Sequence, residues 1–405
     1  MSARERIDLA VGDAVEVECG QVANGGAVIA HHGGRTLLVR HALPGERVIA
    51  HVTEVRAKIV RADAVEVLTA SSDRVTAPCA AARPGGCGGC DLQHVRLDAQ
   101  RAWKSRVVGD ALRRAGVWDR PVAVESLPGE ADGLRWRTRM RWTVAPDGRP
   151  GLLRHRSHAV EAVDDCLIAS PGIAAWLRRG PHLTGASEVR TTEGGTGEVT
   201  VEVDGVLREG PARVVEQVGD RRWRLSPATF WQVHPSAAST LSACAMSVAD
   251  VRPGETWWDL YAGAGLFSAP LAEAIGPEGR VEAVEASASA IRDARRALHD
   301  LPWVRLHASS VERWLPEPGQ RPSGVLLDPP RAGAAPEVLN LIAASTARRV
   351  VYVSCDPMTL ARDLASLGAS GFGVREVRAF DTFPMTHHVE TVVALTRDGA
   401  GDRIS

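Results

Sequence analysis

The chain has 405 residues, 44% of them hydrophobic and 24% charged, which is ordinary for a globular protein and long enough for two or three domains. No apolar run reaches the ~20 residues of a membrane span, and MSARERIDLAVGDAVEVE has no signal-peptide core, so a cytoplasmic protein with no membrane contact is expected. The net charge of −1 excludes a global pull toward polyanions. Only Lys58 and Lys104 are lysine, so 46 of the 48 basic residues are arginine, and placement must decide which of them bind anything.

Residues 9–67 read as short alternating strands, VEVEC, GAVIAHH, RTLLVRHALPGERVIAHVTEV and RADAVEVL, with Gly25-Gly26 and Gly33-Gly34 as turns. Regular short strands of this kind predict a small β-barrel over residues 1–70. Residues 71–225 are less regular and are expected to form a central domain. They hold Cys79, Cys87 and Cys90, a helix-like ALRRAG segment, and GLRWRTRMRWTV. In that last run Arg135, Arg137, Arg139 and Arg141 fall on one strand face and Trp136, Thr138, Met140 and Trp142 on the other. Four arginines on one face repel unless a polyanion or acidic side chains lie nearby, so an RNA-facing strand is expected.

From about residue 226 to 405 the pattern becomes regular α/β. Strand-like runs at TWWDLY, RVEAVE, WVRLHA, GVLLDPP, RRVVYVSC and VETVVALT alternate with helical stretches such as APLAEAIG and ASAIRDARRALHD. That alternation predicts a doubly wound, Rossmann-like sheet with helices on both faces. In WDLYAGAGLF, Gly263 and Gly265 follow the first strand and let backbone approach a ligand. Glu285 ends the next strand 22 residues after Gly263, a spacing that suits an acid bonding the hydroxyls of a ribose. The full six-residue dinucleotide fingerprint is absent, and no lysine follows the glycines as a P-loop requires. An adenosine ligand without a pyrophosphate fits, and S-adenosylmethionine is the obvious one. LLDPPRAG then ends a strand with Asp328 and two ladder-breaking prolines at the ligand edge.

The sequence VRHALPGERVIAHV is similar to the TRAM domain, an OB-like RNA-binding barrel. The ordered set SPATFWQVHP, DLYAGAGLF, AVEAS, LLDPPRAG, YVSCDPMTLARD and DTFPMTHHVETV resembles the RumA/TrmA family of S-adenosylmethionine-dependent RNA 5-methyluridine methyltransferases. The likeness is strong over 226–396. The barrel and cysteine cluster look like the RumA-type branch. The resemblance implies a class I methyltransferase fold, a methyl-donor pocket lined by Gln232, Tyr261, Glu285 and Asp328, a pocket aromatic at Phe230, a nucleophile at Cys355 and a base at Glu390. It implies a ribosomal RNA target, with transfer RNA open, and a monomer is expected. The chain departs from the family at Ala262, where cysteine is frequent, and at Asp356, where asparagine is frequent. It departs also at Leu266 and Ser310, where the family can have asparagine.

The chemistry explains why a thiol and a carboxylate are needed. Carbon 5 of uracil is a poor nucleophile until a thiolate adds at carbon 6, and the carbon-5 proton must then leave to a base before the thiol is eliminated. The target base must also be held unstacked.

Cys79-x7-Cys87-x2-Cys90, with its intervening glycines, suits a bound metal centre, and zinc or a [4Fe–4S] cluster is compatible with four thiolates. By resemblance Cys166 is the fourth ligand and the iron–sulfur cluster is favoured, in a structural role. Cys19 and Cys244 read as packing residues. Two other readings are a cytosine-5 RNA methyltransferase and a non-catalytic RNA-binding protein; the presence of both Cys355 and Glu390 argues against the latter.

Overall fold

A computed structural model describes residues 8–129 and 131–397; the extremities of the first and last expected domains, 1–7 and 398–405, lie outside the described residues. Strands β1 (Ala14–Ala23), β2 (Ala27–His32), β3 (Arg35–Arg40), β4 (Arg47–Val55) and β5 (Ile59–Thr69) close into a barrel in the order β1-β2-β3-β5-β4. Alternation explains the interior: Val15, Val17 and Cys19 of β1 point inward between exposed neighbours. Gly25, Gly26, Gly33 and Gly34 all take positive φ in the two tight turns, as the sequence requires.

The central stretch divides. Helix α1 (Leu97–Arg114) and strand β6 (Val124–Glu125) pack with the C-terminal sheet rather than with the rest of residues 71–225: β6 pairs in parallel with its edge, and Val108, Leu112 and Val124 share its core. The remainder forms an antiparallel sheet in the order β12-β11-β10-β7-β8-β9. Its elements are β7 (Arg139–Val144), β8 (Pro150–Leu153), β9 (Val160–Ala162), helix α2 (Pro171–Arg178), β10 (Glu188–Glu193), β11 (Val199–Val203) and β12 (Val206–Glu209). Trp136, Trp142 and Trp176 fill its core together with Cys90 and Cys166. A hairpin, β13 (Val214–Val218) and β14 (Arg221–Leu225), leads into the last unit.

That unit runs α3 (Ala237–Ala249), β15 (Thr256–Leu260), α4 (Ser268–Ile275), β16 (Arg280–Glu285), α5 (Ala288–Ala297), β17 (Val304–Ala308), β18 (Gly324–Leu327), α6 (Pro336–Ala344), β19 (Arg349–Ser354), α7 (Pro357–Ala369), β20 (Phe372–Phe380) and β21 (Glu390–Arg397). The sheet order is β17-β16-β15-β18-β19-β21-β20-β6, with β21 antiparallel between β19 and β20. Successive side chains of β15 show both faces buried: Trp257 enters one core and Trp258 the other.

The arginine run is organised differently from a basic strand. β7 starts only at Arg139, and Arg135 sits in left-handed backbone at φ 57°. Arg135 forks onto Asp165 at 2.7 Å, Arg139 pairs with Glu216 at 2.8 Å, and Arg141 pairs with Glu188. The guanidinium of Arg137 donates to the carbonyl of Arg139 at 3.2 Å. Acidic side chains thus relieve the repulsion that made RNA the expected partner of this face.

Candidate active site

The site grows from the carboxyl ends of adjacent parallel strands, where helix N-termini and open loops leave room for a ligand. β18 ends at Asp328. β19 ends at Ser354, which pairs with Thr391 of β21, so Cys355, just after the one, and Glu390, just before the other, lie at the same end of one antiparallel ladder. Cys355 is half-buried and Glu390 is buried.

Helix α7 holds Cys355 in place. Asp356 caps it, its carboxylate accepting from the amides of Met358 and Thr359 at 2.9 and 3.0 Å, and Pro357 opens its first turn. Aspartate and asparagine cap equally well, which accounts for the departure at this position. Asp363, about two turns on, is fully buried; it accepts from the amide of Ala334 (2.8 Å) and the hydroxyl of Tyr352 (2.6 Å), fastening the loop after Asp328. Gly333 takes φ 79°, and a Cβ there would stand 2.5 Å from Asp363.

The electrostatics of these groups are coupled. Burial, then the charges of Glu390 and Asp328, pushes the Cys355 thiol up to about 12, while Arg331 pulls it down. Burial and Asp328 raise Glu390 well above the carboxylate range, again opposed by Arg331. Asp328 and the fully buried Asp259 are each raised to about 7, mainly by burial. Like carboxyls this close cannot all ionise without a cation. Arg331, which the sequence reading passed over, is therefore part of the site: its carbonyl accepts from Thr359 and its guanidinium meets the His388 ring at 3.2 Å. The available signal was a cation two residues after the strand-ending Asp328-Pro329.

Beside these groups lies a narrow cavity of about 30 Å³ whose walls include Phe230, Gln232, Tyr261, Gly263 and Asp328. Gly265 adjoins it in the same turn, at φ 84°, where a Cβ would meet Leu298 at 2.7 Å. Glu285 accepts from the amides of Gly263 (3.0 Å) and Ser287 (2.6 Å). Tyr261 is held at φ 64°, an unusual backbone for a tyrosine, and its hydroxyl donates to Glu312 at 3.2 Å. One oxygen of buried Asp259 has no partner among the described residues. A cation-bearing adenosyl ligand fits this set: open backbone at the glycines, an acid for a ribose, and buried carboxyls lacking a countercharge. Of the cavity's walls Phe230, 68% exposed, is the freest to move.

The four cysteines expected to hold a metal centre lie within electrostatic reach of one another. Cys79, Cys87, Cys90 and Cys166 are all free thiols, and each raises the pKa of at least one other or is raised by it. The Gly89 amide donates to the Cys87 sulfur at 3.4 Å, and a Cβ on Gly86 would strike the Ala81 carbonyl at 2.4 Å. Among the described residues, however, no three or more His, Cys, Asp or Glu side chains are arranged to grip a metal ion. Cys19 and Cys244 are buried in the barrel and in the sheet core.

Comparison with known proteins agrees with this architecture. The family described as tRNA (Uracil-5-)-methyltransferase matches residues 320–398, and the TRAM domain matches residues 9–65. An RNA methyltransferase of Streptomyces avermitilis is 42% identical over 95% of this chain and 98% of its own length, and one of Bifidobacterium longum is 36% identical over 94% and 96%. The chain belongs to the RNA uracil-5-methyltransferase family. It is an RNA methyltransferase with a TRAM barrel. The crystal structure of Pyrococcus abyssi tRNA (uracil-54, C5)-methyltransferase with S-adenosyl-L-homocysteine shares the fold, at a TM-score of 0.71 and 22% identity over 94% of this chain and all of that one. Among the described residues no helix is long and apolar enough to cross a membrane.

Proposed function

We propose that this methyltransferase forms 5-methyluridine in RNA, with Cys355 as nucleophile and Glu390 as base. The observation that carries the reading is the meeting of Cys355, Glu390 and Asp328 at three neighbouring strand ends, where Asp328 raises both of the others and Glu390 raises Cys355. S-adenosylmethionine supplies an electrophilic methyl group when bound. The Cys355 sulfur bonds to carbon 6, leaving electron density at carbon 5, which takes the methyl group as the sulfonium bond breaks. Glu390 removes the carbon-5 proton, the ring double bond re-forms, and the thiolate leaves. Gln232, Tyr261, Gly263, Gly265, Glu285 and Asp328 hold the donor, and Phe230 contacts the target base. Arg331 balances negative charge as the thiolate and carboxylate form.

Cys79, Cys87, Cys90 and Cys166 would hold a [4Fe–4S] cluster, with zinc as the alternative; either would brace the central sheet. Ribosomal RNA is the target we infer first, on the RumA-type combination of barrel and cysteine cluster. A transfer RNA target is favoured by the full-length likeness to the Pyrococcus abyssi enzyme. The test is incubation with a labelled methyl donor and total RNA, followed by nucleoside analysis and separation of the RNA species. Label in 5-methyluridine that Cys355→Ala abolishes is expected; label in 5-methylcytidine, or turnover by Cys355→Ala, would overturn the reading.

A further inference from the structure

Acidic side chains neutralise three of the four arginines nominated by the sequence, but another set is left without acids. At the opposite edge of the sheet, across the amino ends of β15, β18 and β19 and the carboxyl end of β21, lies a cleft of about 530 Å³. Five arginines line it: Arg252, Arg321, Arg348, Arg349 and Arg397. Two acids, Asp250 and Glu255, face them, and both are committed. Asp250 pairs with Arg252 (3.2 Å) and Arg349 (3.6 Å), while Glu255 pairs with Arg349 and accepts from the Arg252 amide and the Trp257 indole at 3.0 Å each.

Three guanidiniums therefore lack a carboxylate among the described residues. Arg397 donates to the carbonyls of Ser345 and Ala343 at 3.2 and 2.8 Å, and its buried Nε has no partner among the described residues. Arg321 and Arg348 are exposed, and their guanidiniums have no hydrogen-bond or ion-pair partner among the described residues. Like charges gathered around a concave surface with the local acids already used raise the potential inside it. Planar guanidinium forks match a tetrahedral oxyanion, and the hydroxyl-bearing Ser323 and Thr346 in the lining suit the same ligand.

We propose that this cleft binds phosphate groups, supplied by the backbone of an RNA or by a free phosphate. It stands about 16 Å from the reacting edge, five residues of extended strand from Ser323 to Asp328 at 3.3 Å each, so its ligand adds affinity without touching the chemistry. The proposal does not depend on methyl transfer, and neither arm of its test measures methylation.

The test compares the full-length protein with the Arg321→Ala/Arg348→Ala double variant. Both side chains are exposed, and unchanged calorimetric binding of S-adenosylhomocysteine confirms that the rest of the sheet is intact. In one arm, the affinity for a single-stranded RNA is measured against salt concentration; in the other, inorganic phosphate is titrated directly. If backbone phosphates are the ligand, the variant's log–log salt slope falls by about 1.4, two contacts at ~0.7 each for single strands. If free phosphate is the ligand, its binding is lost at least tenfold while the slope holds. An unchanged slope together with unchanged or undetectable phosphate binding overturns the proposal.

Discussion

Labelling of Cys355 should depend on the charge of the methyl donor. In the empty site the thiol is pushed up to about 12 by burial and by Glu390 and Asp328. At pH 8 only about one molecule in 10⁴ then carries the thiolate, the form that alkylating agents attack. A sulfonium ~6 Å away at an effective dielectric of ~20 stabilises the thiolate by about 3 kcal/mol. That is about two pKa units and a hundredfold rise in thiolate. S-adenosylhomocysteine fills the same pocket with a neutral sulfur, so the pair isolates charge from shape. The assay is carbamidomethylation by iodoacetamide at pH 8, followed by mass spectrometry of the Cys355 peptide. Cys355→Ser confirms the assignment of the peptide, and buried Cys19 serves as an internal reference. Labelling about a hundred times faster with S-adenosylmethionine than with S-adenosylhomocysteine is expected. Equal rates, or slower labelling with the cation, would refute the electrostatic argument.

Three further outcomes are expected. Glu390→Gln keeps the nucleophile but removes the base, so a protein–RNA adduct should build up on denaturing gels while turnover falls at least ~100-fold; turnover lost without an adduct would assign the base elsewhere. Asp259 and Asp328, raised to about 7 from 3.8, keep protons that the unfolded chain releases. Stability of the ligand-free protein therefore falls as pH climbs from about 4 to 7, and S-adenosylmethionine, whose charge favours the ionised forms, should raise Tm more at pH 8 than at pH 5.5; a pH-independent increment would count against it. Lys104 and Asp381 form a fully buried ion pair at 2.5 Å, so Lys104→Ala strands a carboxylate and should cost about 3–5 kcal/mol in denaturant unfolding. A loss below ~1 kcal/mol would mean that water or a rearranged loop takes over the charge.

Much of the site was legible because its signals are local. Gly263, Glu285, Asp328 and Cys355 each sit where a strand ends, and strand ends are marked by changes of composition. What was not legible depends on distant partners. Nothing near Arg135–Arg141 predicts that Asp165, Glu188 and Glu216 fold back to neutralise three of the four arginines. Strand β20, GVREVR at its centre, carries Arg375, Glu376 and Arg378 and reads as polar, yet Phe372, Ala379 and Phe380 bury its two ends. The two residues of β6 are too short for any periodicity, and only parallel pairing with β20 makes them a strand.

The same long-range logic explains why the segment leading to Glu390 is held by parts of the chain far from it. The segment DTFPMTHHV, just before Glu390, is not fixed by its own backbone ladder. From α1, Lys104 reaches Asp381 and the carbonyl of Phe383, and Gln100 accepts from the Met385 amide at 2.9 Å. From the cysteine segment, the amides of Asp91 and Leu92 both donate to the Met385 carbonyl at 3.0 Å, and the Asp91 carboxylate grips His387 at 2.5 Å. From the barrel, Arg40 approaches Asp91 at 3.4 Å. Asp91 follows Cys90 directly, so whatever orders the four thiols also orders the loop that aims Glu390. The four-cysteine segment is thereby linked mechanically to Glu390, the residue proposed as base, through Asp91.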